Sequence, residues 1–392
     1  MDFNIEINRK NTNSTKYDAA SLMHVPEGLL PLWVADMDFR VPDPVTEALK
    51  ERAEHGIFGY TFAGKEYYSA VTAWFEDHFD FKIDPGWIVC TPGVVYALCT
   101  AVRAFTEPGD AVMLNRPVYY PFSNAINDNN RRLVNAPLIY KNGTYTLDFP
   151  LIEKLIVREK VKLYLFCSPH NPVGRVWTKT ELKKLAAICA KHDVILVSDE
   201  THCDFVWRNR RHTTMHNVAE GTGLRYVICT APSKTFNLAG LQASNIIIPD
   251  RELRRSFRIE MFSAGYNGLN IMGMTACRAA YQNGEEWLKE LRKYIYGNIR
   301  FADEFLKENI PEIKLVKTEG TYLLWLDCTE LGMAGPELDD FIMQKAGLWL
   351  DGGSMFGQEG AAFQRVNAAC TRKTLEQALR QLQAAVDGAR RR

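Results

Sequence analysis

A lysine, an aspartate and an asparagine stand where apolar runs give way to polar loops, and these are the residues best placed to do chemistry in this chain. Lys234 lies in Ala231-Pro232-Ser233-Lys234-Thr235-Phe236-Asn237-Leu238-Ala239-Gly240, directly after Tyr226-Val227-Ile228-Cys229-Thr230. That apolar run reads as a buried parallel strand. A lysine at its end sits at the carboxyl edge of a sheet, where open α/β folds bind ligands. A lysine partly desolvated there can lose its proton near neutral pH and form a Schiff base with a carbonyl cofactor. Taken alone, Lys234 reads more readily as a surface lysine, so its neighbours decide.

Three further clusters share its setting. Gly93-Val94 follows the strand Trp87–Cys90 and opens an apolar helix over 94–105; strand, glycine turn and helix is the geometry whose amides bind a phosphate. Asn171 follows the strand Leu163–Cys167, in Ser168-Pro169-His170-Asn171-Pro172. Asp199 and His202 follow the strand Val194–Val197. In a doubly wound sheet the carboxyl ends of these strands converge on one crevice. Lys234, Asp199 and Asn171 together match pyridoxal 5′-phosphate: an amine for its aldehyde, a carboxylate for its pyridine nitrogen, and an amide donor for its phenolate oxygen. Each residue alone has a plainer reading, Asp199 as a helix cap, Asn171-Pro172 as a turn and Tyr119 as core.

The elements that must position them alternate between strand and helix. Helical patterns cover 44–54, 65–79, 94–105, 251–262, 269–282 and 285–308, and Thr178 with Glu181 forms a capping box. Strands are expected at 111–114, 132–139, 144–147 and 244–248, with Asn142-Gly143 as a hairpin turn. Alternating strand and helix argues for an α/β fold with a mostly parallel, doubly covered sheet. Beyond about residue 285 the texture becomes α+β, with short strands at 314–317, 320–327, 348–351 and 362–367. The expected division is an N-terminal segment over 1–45 that packs on the small domain and the active site, a large cofactor-binding domain over 46–285 and a small domain over 286–392. Within the N-terminal segment, Pro31-Leu32-Trp33-Val34-Ala35-Asp36-Met37-Asp38-Phe39 reads as extended backbone along a cleft or as a simple tether.

Composition narrows the function classes. The 47 basic and 47 acidic residues cancel, so no global field points to nucleic acid or an anionic membrane. Nine cysteines without a Cys-x-x-Cys pair argue against a disulfide framework or zinc knuckle. With a charged N-terminus and no apolar run of about 18 residues, the expectation is a soluble protein of a reducing compartment, the cytoplasm. The closing run Arg390 to Arg392 reads as a solvated helix end. Glu220-Gly221-Thr222-Gly223-Leu224 lacks a preceding strand and reads as a connector, not a dinucleotide loop. His212 and His216 lack a third ligand, so no metal is expected, and no Gly-x-Ser-x-Gly elbow supports a hydrolase triad.

Over nearly its whole length the chain resembles the fold-type I pyridoxal-phosphate enzymes of the class I/II aminotransferase group. The landmarks are Ser168-Pro169-His170-Asn171-Pro172-Val173-Gly174-Arg175-Val176-Trp177, Ser198 to Asp204, and Ala231 to Gln242. Pro31 to Phe39 and Arg365-Val366-Asn367-Ala368-Ala369-Cys370 are similar to the cystathionine β-lyase/C–S lyase branch. The resemblance implies that Lys234 takes the cofactor aldehyde and then removes the substrate Cα proton. It implies that Asp199 pairs with the pyridine nitrogen, that Asn171 meets the phenolate oxygen and that Tyr119, rather than Tyr120, stacks on the ring. His202 stands where the wider family often has a tyrosine. Gly93, Val94, Thr230 and Ser233 would hold the phosphate, joined by Tyr60 of a neighbouring subunit in a homodimer. Arg365 would take the substrate carboxylate in a two-pronged fork. Trp33, Val34, Ala35 and the loop Gly352–Phe356 would line the substrate side, with Tyr60 and Asn171 also reaching it. Thr201 departs from the branch, which commonly carries an aliphatic residue there.

The implied reaction is an α,β-elimination on a small sulfur-containing amino acid, giving a thiol, pyruvate and ammonia. Transamination shares every step up to the carbanion and is the alternative. A third reading, a partner-binding regulatory protein on the same fold, is opposed by the intact set Lys234, Asp199, Asn171 and Arg365.

Overall fold

Leu163, Leu165 and Cys167 pack into one apolar layer while Tyr164 and Phe166 pack into another. That two-residue alternation, apolar on both sides, marks a strand covered on both faces. The computed structural model, which describes residues 1–208 and 210–390, places this strand inside a seven-stranded sheet. Its strands are β1 (Ile88–Thr91), β2 (Ala111–Leu114), β3 (Arg132–Asn135), β4 (Val161–Cys167), β5 (Ile195–Asp199), β6 (Tyr226–Thr230) and β7 (Ser244–Ile247). They lie in the order β1-β7-β6-β5-β4-β2-β3. Only β7 runs against its neighbours, so β1, β4, β5 and β6 all point the same way and end on one edge.

On one face Ala97, Leu98 and Ala101 of the helix α1 (Val94–Phe105) meet Phe257 and Met261 of the helix Arg251–Ser263, together with Val112, Leu163 and Val197 from the sheet. On the other, Leu182, Leu185 and Ala186 of the helix Lys179–Lys191 join Tyr164, Phe166 and Leu196. Both helices carry apolar residues three and four apart, the stripe a helix needs to cover a sheet. The capping box of Thr178 and Glu181 is present, each side chain accepting from the other's backbone amide.

A second, antiparallel sheet is built from β8 (Lys314–Leu315), β9 (Leu323–Asp327), β10 (Asp351–Gly352) and β11 (Phe363–Asn367), in the order β8-β9-β11-β10. The helices α2 (Glu285–Asn309) and α3 (Arg372–Arg390) accompany it. Leu291, Ile295, Ile299 and Ala302 on the first, and Leu375, Leu379, Leu382 and Val386 on the second, form their buried stripes. Of the terminal arginine run, Arg390 pairs with Glu312 and Asp387; the other two lie outside the described residues.

Several strands differ from expectation. The one expected over 132–139 is two: β3 stops at Asn135, and Ile139–Lys141 pairs with Thr144–Thr146 in a separate hairpin around Asn142-Gly143. Pro137 lies between them and has no N–H to give to a ladder. The strand expected from Gly320 begins at Leu323, because Thr321 adopts a left-handed φ of 64°. The one expected over 348–351 changes partner midway. Leu348–Trp349 pairs with Leu30–Pro31, and Asp351–Gly352 pairs with β11.

That pairing sets the course of the N-terminal segment. Leu32 bridges Trp349 and Asn367 through its backbone, each bond 2.9 Å long. Further on, Asn237 of the lysine loop accepts from the Met37 amide and donates to the Met37 and Phe39 carbonyls, all at 3.0 Å. The stretch from Pro31 to Phe39 is therefore tied to the second sheet at Leu32 and to the lysine loop at Met37 and Phe39, and it bends at Val34–Asp36 and Asp38–Phe39 instead of running as one extended strand. Glu220–Leu224 is a turn leading into β6. His212 and His216 have separate partners, Glu200 and Tyr226. Among the described residues no helix is long and apolar enough to cross a membrane.

Candidate active site

Beyond the carboxyl ends of β1, β4, β5 and β6 lies a cavity of about 200 Å³. Ala35, Gly93, Val94, Tyr119, Asn171, Asp199, His202, Ser233 and Lys234, each expected from the sequence, line it. Strand direction explains the convergence: each of these polar clusters follows a strand pointing to the same edge.

Lys234 sits on a four-residue helical turn, Pro232–Thr235, directly after β6. Its Nζ donates to the Ala35 carbonyl at 2.7 Å, and the buried Tyr322 hydroxyl donates to the same oxygen at 2.9 Å. Burial, aided by the Arg365 charge and opposed by Asp36 and Asp199, pushes the lysine down to about 8 from an ordinary 10.5. The amine therefore reaches its neutral, nucleophilic form near pH 8 instead of near 10.5.

The remaining polar groups each offer a defined atom. Asn171 Oδ1 accepts from Arg365 Nη1 at 3.1 Å. This assigns Nδ2 as the free donor of the amide. Burial raises the Asp199 carboxyl, while hydrogen bonds from Thr201 and the charge of Lys234 lower it. His202 is buried, and its Nδ1 has no partner among the described residues. Burial and the charges of Lys234 and Arg365 push it down to about 3, so the ring is neutral. Tyr119 lies along the wall with its amide on the Asn171 carbonyl at 3.0 Å. Tyr120 does not line the cavity; it packs between Tyr119 and Phe356.

At the mouth of α1, Gly93 is the residue before the first turn, whose leading amides have no acceptor within the helix. Ser233 faces the same cavity from the lysine turn. A phosphate fits such a place. The donor set as a whole fits pyridoxal 5′-phosphate: a depressed amine, a carboxylate, a free amide N–H, an aromatic wall and a helix N-terminus enclose one space.

Other expected residues stand elsewhere. Thr230 is buried at the end of β6 with its hydroxyl donating to the Asn245 carbonyl at 2.9 Å, so it does not reach the cavity. Tyr60 is fully exposed, in an apolar stretch with Ile57, Phe58 and Phe62. Trp33 stacks on Trp349 at 4.5 Å, and it is its carbonyl, not its ring, that serves the site by accepting from Arg365 at 2.9 Å. Val34 likewise contributes its carbonyl, to Asn367 at 2.6 Å. Arg365 lies behind Asn171, with its guanidinium 5.0 Å from the Phe356 ring centroid and its Nε without a partner among the described residues. Its ion partner is Asp351, a residue that sequence reasoning missed. An isolated aspartate in Leu350-Asp351-Gly352 carries no signal; only the β10–β11 register puts it opposite Arg365. Also missed were Gln242 and Ala243, which line the cavity from the loop after Lys234.

Fold and site together define an enzyme that works through a carbonyl cofactor held on a lysine at the edge of a parallel sheet. The family model "Aminotransferase class I and II" matches residues 27–382, and the chain belongs to that family. It is 42% identical over 386 residues to the cystathionine β-lyase PatB of Bacillus subtilis, covering 98% of this chain and 100% of that protein. It is 32% identical to the protein MalY of Escherichia coli, with 96% of each chain covered. Among solved structures, cystalysin from Treponema denticola, which contains pyridoxal 5′-phosphate, superposes with a TM-score of 0.95 at 39% identity, covering 99% of each chain.

Proposed function

We propose that this protein is a pyridoxal-5′-phosphate-dependent carbon–sulfur β-lyase, cleaving the Cβ–S bond of a small sulfur-containing amino acid such as cystathionine or a cysteine S-conjugate to a thiol, pyruvate and ammonia. The observation that carries the reading is the placement of Lys234, depressed to about 8, in one cavity with Asp199 and Asn171. The similarity to a cystathionine β-lyase over the full chain selects elimination among the reactions of the family.

When bound, the cofactor supplies an electron sink for the pair left at the substrate Cα. The chain's residues do the rest. Lys234 would hold the cofactor aldehyde, and its Nζ, when free, would take the Cα proton. Asp199 would pair with the pyridine nitrogen, Asn171 would donate to the phenolate oxygen and Tyr119 would stack on the ring. Gly93, Val94 and Ser233 would hold the phosphate. Arg365, braced by Asp351, orients the substrate carboxylate beside the Trp33–Ala35 backbone. The exposed stretch Ile57–Phe62 supports a homodimer in which Tyr60 completes the neighbouring site.

The test is purified protein given L-cystathionine without any keto acid. Steady pyruvate release, absent from Lys234→Ala, supports the lyase. Turnover only after a keto acid is added would replace it with a transaminase.

A further inference from the structure

Thr201 follows β5 by two residues and sends two donors to one oxygen of Asp199. Its amide lies 3.1 Å from Oδ1, and its hydroxyl donates to the same atom. Asp199 Oδ2 accepts no hydrogen bond from the described residues. Thr201 is buried, and it lines the cavity alongside Asp199. Two donors on one oxygen fix the rotation of the carboxylate and leave Oδ2 as the atom free to pair. A hydroxyl donor also favours the ionised carboxylate, against the burial that raises it. An aliphatic side chain at this position would keep the amide contact and lose the hydroxyl.

We propose that the Thr201 hydroxyl is a positioning group that keeps Asp199 ionised and aimed, and thereby holds the pyridine nitrogen of bound pyridoxal 5′-phosphate protonated. This rests on the reading of the cavity as a pyridoxal-phosphate site. A more firmly protonated ring withdraws electrons more strongly, so Thr201 tunes how readily the Cα proton is lost.

The experiment uses holoenzyme reconstituted with cofactor carrying ¹⁵N in the pyridine ring, comparing wild type, Thr201→Val and Thr201→Ser. The nitrogen chemical shift is followed against pH, and cofactor affinity is measured by spectral titration of the apoprotein. Valine keeps the shape and removes the donor, so the pH at which the nitrogen loses its proton falls by about one pH unit and the cofactor binds about tenfold more weakly, the worth of one hydrogen bond to a charged group. Serine keeps the donor and restores both. The proposal is overturned if Thr201→Val titrates and binds as wild type does, or if Thr201→Ser loses as much as valine. Should the valine variant not fold, Thr201→Ala makes the same comparison against serine. A wild type that takes up no cofactor overturns the site reading and this inference together; a wild type that binds it protonated beside an unchanged valine variant overturns this inference alone.

Discussion

Lys234 and Ala35 lie 199 residues apart in sequence, yet Nζ of the lysine donates to the Ala35 carbonyl at 2.7 Å. The Lys234 amine is thus held by the N-terminal segment, which Asn237 of the same lysine loop clamps in place. Only the neutral amine attacks a carbonyl. Uptake of pyridoxal 5′-phosphate by the apoprotein should therefore speed up as pH rises through about 8 and level off above it. Stopped-flow absorbance at a series of pH values reads this directly. The same depression has a stability consequence. The unfolded lysine binds its proton up to about 10.5 and the folded one only to about 8, so apoprotein stability rises across that window. Lys234→Met, which carries no charge to bury, should melt higher than wild type below pH 8 and lose that advantage by pH 10.5.

Arg365 and Asp351 are direct cross-strand partners on β11 and β10, and both side chains are 3% exposed. Removing one leaves the other's charge buried and alone. Asp351→Ala should cost about 3–5 kcal/mol in denaturant unfolding, far above the effect of a surface ion pair. Arg365→Lys keeps the charge and loses the fork, and should raise KM for cystathionine about tenfold or more while changing kcat less.

His202 and His170 are buried neutral, at about 3 and about 4. Unfolded, each binds a proton from about 6.5 downward, so stability should fall as pH drops from 6.5 toward 3. His170→Gln preserves a donor for the Pro117 carbonyl, which the imidazole meets at 2.9 Å. Its melting temperature should decline less steeply than that of wild type between pH 6.5 and 4.

Tyr60 and Phe62 are exposed, as are Ile57 and Phe58 beside them. Phe62→Asp should weaken a homodimer, seen as a shift toward monomer in sedimentation velocity, and with it cofactor retention. Tyr60→Phe should leave the assembly intact and lower cofactor affinity about tenfold, by loss of one hydrogen bond to a charged phosphate.

Much of the site was legible in the chain because it is made of local motifs. A strand of period two followed by a polar loop states both where a residue sits and which edge of a parallel sheet it reaches. Lys234, Asp199, Asn171 and Gly93 each carry that signal, and their strands all point to one edge. Helices with apolar residues three and four apart were equally plain, as at Glu285–Asn309. Strand ends were less so. A proline at 137 or a left-handed Thr321 breaks a ladder that apolar patterning alone extends.

What only the tertiary structure decided is which distant groups share an environment. Nothing local pairs Asp351 with Arg365, turns Trp33 away so that its carbonyl serves instead, or commits the Thr230 hydroxyl to Asn245. These depend on strand register and on how one layer seats on another, and the energy that fixes them is burial summed over the whole core. The depression of Lys234 has the same origin, since desolvation is a property of everything that surrounds the amine. The sequence determined the chemical inventory and the edge where it gathers; the packing of two sheets around the N-terminal segment determined what each group does there.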